Sequence, residues 1–223
     1  MGKKSIIVSG GKGYLGKTIS QTLEKAGFNI INERIDLTDE IAVSRYAQKV
    51  RSEFSDIWGI IHTASAPLVR KKVLDGSIAD FGAQFSVNVL GGFNLFKYFM
   101  PMVLPGGFIV GITSQSIESK TTHQNSGSYI PAKLALRGLL KVLSKELDAQ
   151  RIRVYAIAPA FMPGGLNKDL PETVVDFISK KSSKEDMCSP QEVSDLIVKL
   201  AENDDGYPSG KSISVPGLKI TDL

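Results

Sequence analysis

A tyrosine and a lysine four residues apart, Tyr129 and Lys133, lie in the stretch Ser-Gly-Ser-Tyr-Ile-Pro-Ala-Lys at 126–133. On a helix, residues at this spacing sit over one another on one face, so a phenol and an ammonium can reach the same small molecule. The chemistry such a pair suits is proton transfer. An ammonium beside a phenol favours the phenolate, and Lys133 is expected to draw the tyrosine pKa down from about 10 toward working pH. Pro131 is compatible with a helix if Ser128 is the N-cap, because the first turn has no use for the missing N–H. A surface amphipathic helix would satisfy the same spacing, so the surrounding elements must decide.

Those elements alternate. An apolar run at 5–8 leads into Ser9-Gly10-Gly11-Lys12-Gly13-Tyr14-Leu15-Gly16 and then a helical pattern with Ile19, Leu23 and Ala26 on one face and Gly27 placed to end it. A strand, a glycine turn and a helix in this order allow backbone N–H groups to approach a pyrophosphate at the helix N-terminus. The second strand is expected at 28–32, with Glu33 and Arg34 at its end, where a dinucleotide would present its adenosine ribose. Glu33 would favour the free 2'-hydroxyl of NAD, and Arg34 with Lys12 the 2'-phosphate of NADP; the balance is taken for NADP, with NAD still open. Asp36-Leu37-Thr38-Asp39 follows without room for an intervening helix, Asp36 being either a cofactor contact or part of a turn. A helix is expected over 39–54, capped by Thr38 and buried through Ile41, Tyr46, Ala47 and Val50.

Further along, a buried strand at 57–62 ends in the loop Thr63-Ala64-Ser65-Ala66-Pro67, at the end of the sheet where open α/β folds bind ligands. One long helix is predicted over 78–102, its Phe81, Phe85, Phe93, Phe96 and Phe99 facing the core or a second subunit, with Asn88 as the polar exception that needs partners. Strands follow at 108–112, ending in Thr113-Ser114-Gln115-Ser116, and at 153–158, closing at Pro159. Ser189-Pro190-Gln191-Glu192 reads as a capping box, and 212–215 as the last strand. The alternation predicts an α/β fold, a doubly wound and mainly parallel Rossmann-type sheet of about seven strands in a three-layer αβα sandwich, as a single domain over 1–223.

The chain has 223 residues, 42% hydrophobic and 22% charged, which suits one domain with a large core and argues against disorder. A net charge of +4 is mild. The basic clusters at 70–72 and 180–184 have no interleaved aromatics, so nucleic acid is not expected as a partner. Cys188 is the only cysteine, which rules out an internal disulfide, and two histidines, His62 and His123, do not make a zinc site; no metal is expected. Apolar runs near the N-terminus are too short for a signal core or membrane span, so a cytoplasmic protein with no membrane partner is expected.

Taken in order, these residues resemble the short-chain dehydrogenase/reductases over nearly the whole length. Gly10 to Gly16 is similar to that family's cofactor loop, and 36–39 to its Asp-Val-Thr-Asp. Val87-Asn88-Val89-Leu90-Gly91 resembles its central-helix asparagine, 106–114 its strand ending in Ile-Ser-Ser, and Tyr129 to Lys133 its Tyr-X-X-X-Lys. The resemblance implies a carbonyl–alcohol oxidoreductase in which Tyr129 is the general acid or base. Lys133 would lower the tyrosine pKa and bind the nicotinamide ribose, Ser114 would hold the substrate oxygen with Ser116 as competitor, and Asn88 would anchor a relay water. Cofactor contacts would come from Ser9, Gly10, Lys12, Gly13, Tyr14, Leu15, Arg34, Asp36, Leu37, Ala64, Ser65, Tyr129, Lys133, Pro159 and Met162.

Departures exist. Gly13 stands one residue early, as in the extended or atypical branch, which keeps a nucleotide-sugar epimerase or dehydratase open beside a non-catalytic dinucleotide sensor. His62-Thr63-Ala64-Ser65 replaces Asn-Asn-Ala-Gly after the strand that the family counts as its fourth. The substrate is expected to be a small or medium-sized carbonyl or alcohol, with His123, Gln124 and Asn125 read as an exposed polar loop in preference to a lining of its entrance, and the assembly a homodimer or homotetramer.

Overall fold

The structure, a computed structural model, describes residues 2–117, 125–181, 183, 186–203 and 206–223. Its spine is one seven-stranded sheet: β1 (Ser5–Ser9), β2 (Asn29–Ile31), β3 (Ile57–His62), β4 (Val103–Ile112), β5 (Arg153–Pro159), β6 (Lys211–Val215) and β7 (Ile220–Asp222), in the order β2-β1-β3-β4-β5-β6-β7. Every pairing is parallel except β6 with β7. The helices are α1 (Tyr14–Lys25), α2 (Glu40–Glu53), α3 (Ile78–Phe85), α4 (Gly91–Phe99), α5 (Tyr129–Glu146), α6 (Glu172–Lys181) and α7 (Pro190–Glu202).

Strands β1, β3 and β5 are buried along their length because both faces of the sheet are covered. On one face Val43, Leu95, Phe96, Phe99, Leu136 and Leu140, from α2, α4 and α5, close over Ile7, Ile60 and Ile109. On the other, Ile19, Leu23, Val193, Ile197 and Leu200, from α1 and α7, close over Ile6, Val8, Ile61 and Val110. These are the three layers expected. Among the described residues, no helix is long and apolar enough to cross a membrane.

Between β2 and α2 the chain turns at Asp36, whose carboxylate accepts from Thr38 N at 2.9 Å and Thr38 Oγ1 at 2.7 Å. Three local expectations need correction. The N-cap of α2 is Asp39, which accepts from Ala42 N at 3.0 Å, and Ile41 is exposed, since it stands at the start of the helix on its outer side. The sheet still reaches seven strands, because the chain turns after β6 and adds β7 antiparallel along its edge. The long helix at 78–102 is broken by a π-turn over Ser86–Leu90, where Gly91 N bonds to Ser86 O, five residues back. The extra residue rotates the second half, so Phe96 and Phe99 enter the core while Phe93 remains 45% exposed.

Candidate active site

At the topological switch point, the chain leaves β1 toward β2 and later returns to β3 on the other side, opening a crevice at the carboxyl ends of β1 and β3. The glycine turn sits there. Gly10 adopts φ +67°, and a Cβ on it would stand 2.7 Å from Thr63 Oγ1 and 2.8 Å from Ala64 N. Gly16 lies so close to the Gly10 carbonyl that a side chain has no room, which seats α1 directly on the turn. Gly13 N donates to Gly10 O at 2.8 Å, and Gly13 caps α1 without a side-chain bond to the first-turn N–H groups. A helix that starts this way offers donors and the positive end of its dipole to an anion.

Around this turn the expected cofactor residues divide. Tyr14 reaches across to the loop after β5, its Oη donating to Pro163 O at 2.8 Å, and Met162 is part-buried beside it with its carbonyl accepting from Asn167 Nδ2 at 2.9 Å. Pro159 ends β5, and Ala64 and Ser65 line the loop after β3. Ser9 and Leu37 face inward: Ser9 Oγ meets His62, and Leu37 is buried with its carbonyl on Asn94 Nδ2 at 3.0 Å. Leu15 packs under the sheet. Asp36 is exposed, with one carboxylate oxygen accepting from Thr38 in its own turn.

On the adenosine side, Glu33 is drawn to Lys49 of α2, 2.8 Å away. A cavity of about 360 Å³ beside the turn is lined by Lys12, Lys17, Ser20, Gln21, Glu24, Asn32 and Gly11, which puts Lys12 with Lys17, whereas Arg34 is exposed outside it.

The catalytic candidates converge at the end of β4. Thr113 is clamped to β5, its N and Oγ1 both donating to Ile157 O at 2.7 and 3.0 Å, and this presents Ser114 at the mouth of the strand. The Ser114 hydroxyl lies close enough to the Tyr129 phenol to lower its pKa, and Ser116 N donates to Ser114 Oγ at 3.2 Å. Of the two serines, Ser114 is the one that influences the phenol. Pro131 falls in the first turn of α5 as expected, with Ser128 at the cap position but making no side-chain cap bond. Lys133 is buried one turn on, its Nζ donating to Ile112 O at 2.8 Å and lying 5.6 Å from the Tyr129 ring centroid.

The electrostatics differ from expectation. Burial pushes the Tyr129 phenol above its ordinary value, offset in part by the Ser114 hydroxyl, and burial brings the Lys133 ammonium down to about 7. Desolvation outweighs mutual attraction here because the lysine points its charge at the Ile112 carbonyl and the phenol is neutral.

Asn88 is fully buried in the π-turn, where α5 packs against it. Its Nδ2 donates to Gln84 O at 2.9 Å and Gln84 Oε1 at 3.0 Å, while its Oδ1 has no partner among the described residues. Gln84, itself fully buried and donating to Pro67 O at 2.7 Å, is a site residue that sequence reasoning missed. Its signal was a glutamine four residues before an asparagine on an apolar helix. His123 and Gln124 lie outside the described residues; Asn125 is exposed. Cys188 is buried, with its thiol pushed up to about 12, and among the described residues no cluster fit for a metal ion occurs.

A family model described as Enoyl-(Acyl carrier protein) reductase, of the short-chain dehydrogenase/reductases, matches residues 5–217. The chain belongs to the short-chain dehydrogenase/reductase family. As a member it is an NAD(P)-dependent oxidoreductase that interconverts a carbonyl and an alcohol. It is 26% identical over 189 residues to the 3-oxoacyl-(acyl-carrier-protein) reductase of Thermotoga maritima, covering 82% of this chain and 74% of that one. It is likewise 26% identical over 183 residues to the (3R)-3-hydroxyacyl-CoA dehydrogenase of Mus musculus, covering 82% and 71%. Among solved structures, the Pseudomonas aeruginosa RhlG/NADP active-site complex superposes with a TM-score of 0.85 at 21% identity, covering 97% of this chain and 96% of that one. That likeness concerns the fold of this dehydrogenase/reductase.

Proposed function

We propose that the protein is an NADP-preferring carbonyl reductase for small or medium-sized substrates, acting through Ser114, Tyr129 and Lys133 in a single domain over 1–223. The observation that carries this reading is the meeting of Ser114 and the Tyr129 phenol at the end of β4, with Lys133 buried one helical turn behind and bonded to Ile112 O.

The residues fit a dinucleotide: a glycine turn that admits no side chain, an uncapped helix start, and a cationic recess at the adenosine end. When bound, the cofactor supplies or accepts the hydride. The chain handles the proton. Ser114 donates to the substrate oxygen and holds it beside the phenol, where charge develops during reduction. Tyr129, protonated at rest because burial raises its pKa, gives its proton to that oxygen, completing the alcohol. The resulting phenolate is the state that Lys133 stabilises, so the attraction expected between the two belongs to the charged step of the reaction. Lys133, near 7, then returns a proton at little cost. Asn88 Oδ1, buried and without a partner among the described residues, would anchor the water of that return path.

Support for NADP comes from Lys12 and Lys17 at the recess and from the Glu33–Lys49 ion pair, which engages the carboxylate that would favour NAD. The NADP complex of the Pseudomonas protein agrees with it. The names of the two relatives point to 3-oxoacyl thioesters as the first substrates to try. A homodimer or homotetramer in the cytoplasm is part of the same proposal; Leu90 and Phe93 near α4 and Leu134 and Val142 on α5 stay about half exposed and suit a second copy.

The test is Tyr129→Phe. Turnover should fall by about 10²–10⁴-fold, with NADPH binding, followed by nicotinamide fluorescence, retained. Unchanged turnover would remove the acid assignment.

A further inference from the structure

Four hydrogen bonds link the cofactor turn to the π-turn and its asparagine. Ser9 Oγ, at the last residue of β1, lies 2.8 Å from His62 Nδ1; His62 Nε2 lies 3.1 Å from the backbone O of Asn88; and the Asn88 amide is held by Gln84. The imidazole is almost wholly buried, edge-on to Phe96 with ring centroids 6.1 Å apart. Gly92 makes room for it, since a Cβ there would stand 3.1 Å from His62 Cδ2 and 3.2 Å from Nε2.

The protonation of this ring follows from its partners. A carbonyl only accepts, so Nε2 carries the hydrogen and donates to Asn88 O. With the ring neutral, Nδ1 is then an acceptor, and the Ser9 hydroxyl donates to it. One tautomer and one orientation satisfy both nitrogens. Neutrality is enforced by burial and by the Lys133 charge nearby, which together hold the imidazole pKa down at about 4.

The consequence lies at Asn88. A π-turn interrupts the α-helical ladder, and its backbone stays in one arrangement only where the surroundings fix it. We propose that His62 is a positioning residue for the reaction: by donating to the Asn88 carbonyl it fixes the π-turn backbone from which Asn88 presents its unpartnered Oδ1, and through Ser9 it ties that backbone to the cofactor turn. This rests on the assignment of Asn88 to the reaction. Gln84 holds the amide nitrogen of the same side chain, so the two contacts together leave Oδ1 a single position.

The test compares His62→Ala, His62→Gln and Asn88→Ala in the full chain with NADPH and acetoacetyl-CoA, alongside amide hydrogen exchange over 86–91. His62→Ala should speed exchange across the π-turn and lower kcat by about 10²-fold, as for a misplacement of roughly 1 Å, with KM for NADPH within about twofold. His62→Gln, whose amide can donate to Asn88 O and accept from Ser9, should recover most of both. The proposal is overturned if His62→Ala leaves exchange over 86–91 and kcat at wild-type values, or if His62→Gln recovers neither, which would mark a packing role alone. If Asn88→Ala keeps wild-type kcat, the reading of the site fails and the role of His62 with it; if Asn88→Ala loses activity and His62→Ala does not, only the positioning role fails.

Discussion

Lys133→Met should make the protein inactive and, near neutral pH, relatively more stable. The ammonium is buried with one described bond, to the Ile112 carbonyl, and no carboxylate partner among the described residues. Its fall from 10.5 to about 7 corresponds to roughly 5 kcal/mol at about 1.36 kcal/mol per tenfold change in proton affinity. The Ile112 bond, made by the charged form, is already contained in that shift, so roughly 5 kcal/mol is the most that the buried charge costs. The sign follows from proton counts. The lysine holds its proton less tightly in the folded state, so between about pH 7 and 10.5 the unfolded chain binds more protons and stability rises with pH. Below that window both states are charged and the penalty is constant; above it the penalty vanishes. Methionine has nearly the same length and no charge, so the variant lacks this slope. Urea unfolding of both proteins without nucleotide at pH 7, 8, 9 and 10 isolates the term, because packing changes and the orphaned Ile112 carbonyl do not depend on pH. Wild type should gain about 2–5 kcal/mol on the variant across the window. Parallel stability curves for the two proteins would refute the claim that a desolvated charge sits at this position.

Gly16→Ala places a methyl against the Gly10 carbonyl and 2.8 Å from Thr63 Oγ1, backbone and clamp that cannot retreat. A loss of about 2–4 kcal/mol in thermal or urea unfolding is expected, together with weaker nucleotide binding. Lys12→Ala and Lys17→Ala should each weaken NADPH more than NADH in a fluorescence titration, by about 1.5–3 kcal/mol for a charged hydrogen bond to phosphate. Equal losses for the two nucleotides would show that the recess does not hold the 2'-phosphate.

Much of the architecture is legible in the residues because a parallel sheet covered on both faces needs continuous β-branched runs, and those at 5–8, 57–62, 108–112 and 153–158 all became strands. The glycine turn was legible for a different reason: Gly10 and Gly16 occupy positions where no other side chain fits. What escaped depends on distance. Strand β7 has three residues and only one partner, so its signal lies in β6 and not in its own sequence. The π-turn is a single extra residue, invisible to a period count that tolerates several apolar faces; Gly91-Gly92 was the only local hint. The place of Ser114 at the strand end favours it over Ser116 as the partner of Tyr129, and Ser114 is the serine that influences the phenol. The pKa direction of Tyr129 was not legible, because helical spacing shows that Lys133 is near but not that both groups are stripped of water.

The groups assigned to chemistry are also those least suited to a core: Lys133 without a described acidic partner, Asn88 with an idle amide oxygen, and a histidine held neutral. The lysine charge and the amide oxygen oppose folding, whereas the histidine is tolerated because both of its nitrogens are paired. They persist together because α5 and the π-turn are pressed onto the sheet by Phe96, Leu136 and Leu140, fully buried apolar side chains whose removal from water stabilises by about 1.5–3 kcal/mol each. The local violations therefore cluster where α5 and the π-turn are held on the sheet by buried apolar side chains, which is the arrangement required if rigid placement of a few polar atoms is what the fold supplies to the reaction. It also explains why Gln84 and His62, which touch no reacting atom, are as deeply buried as Asn88: a buried polar atom can be aimed only by other buried polar atoms.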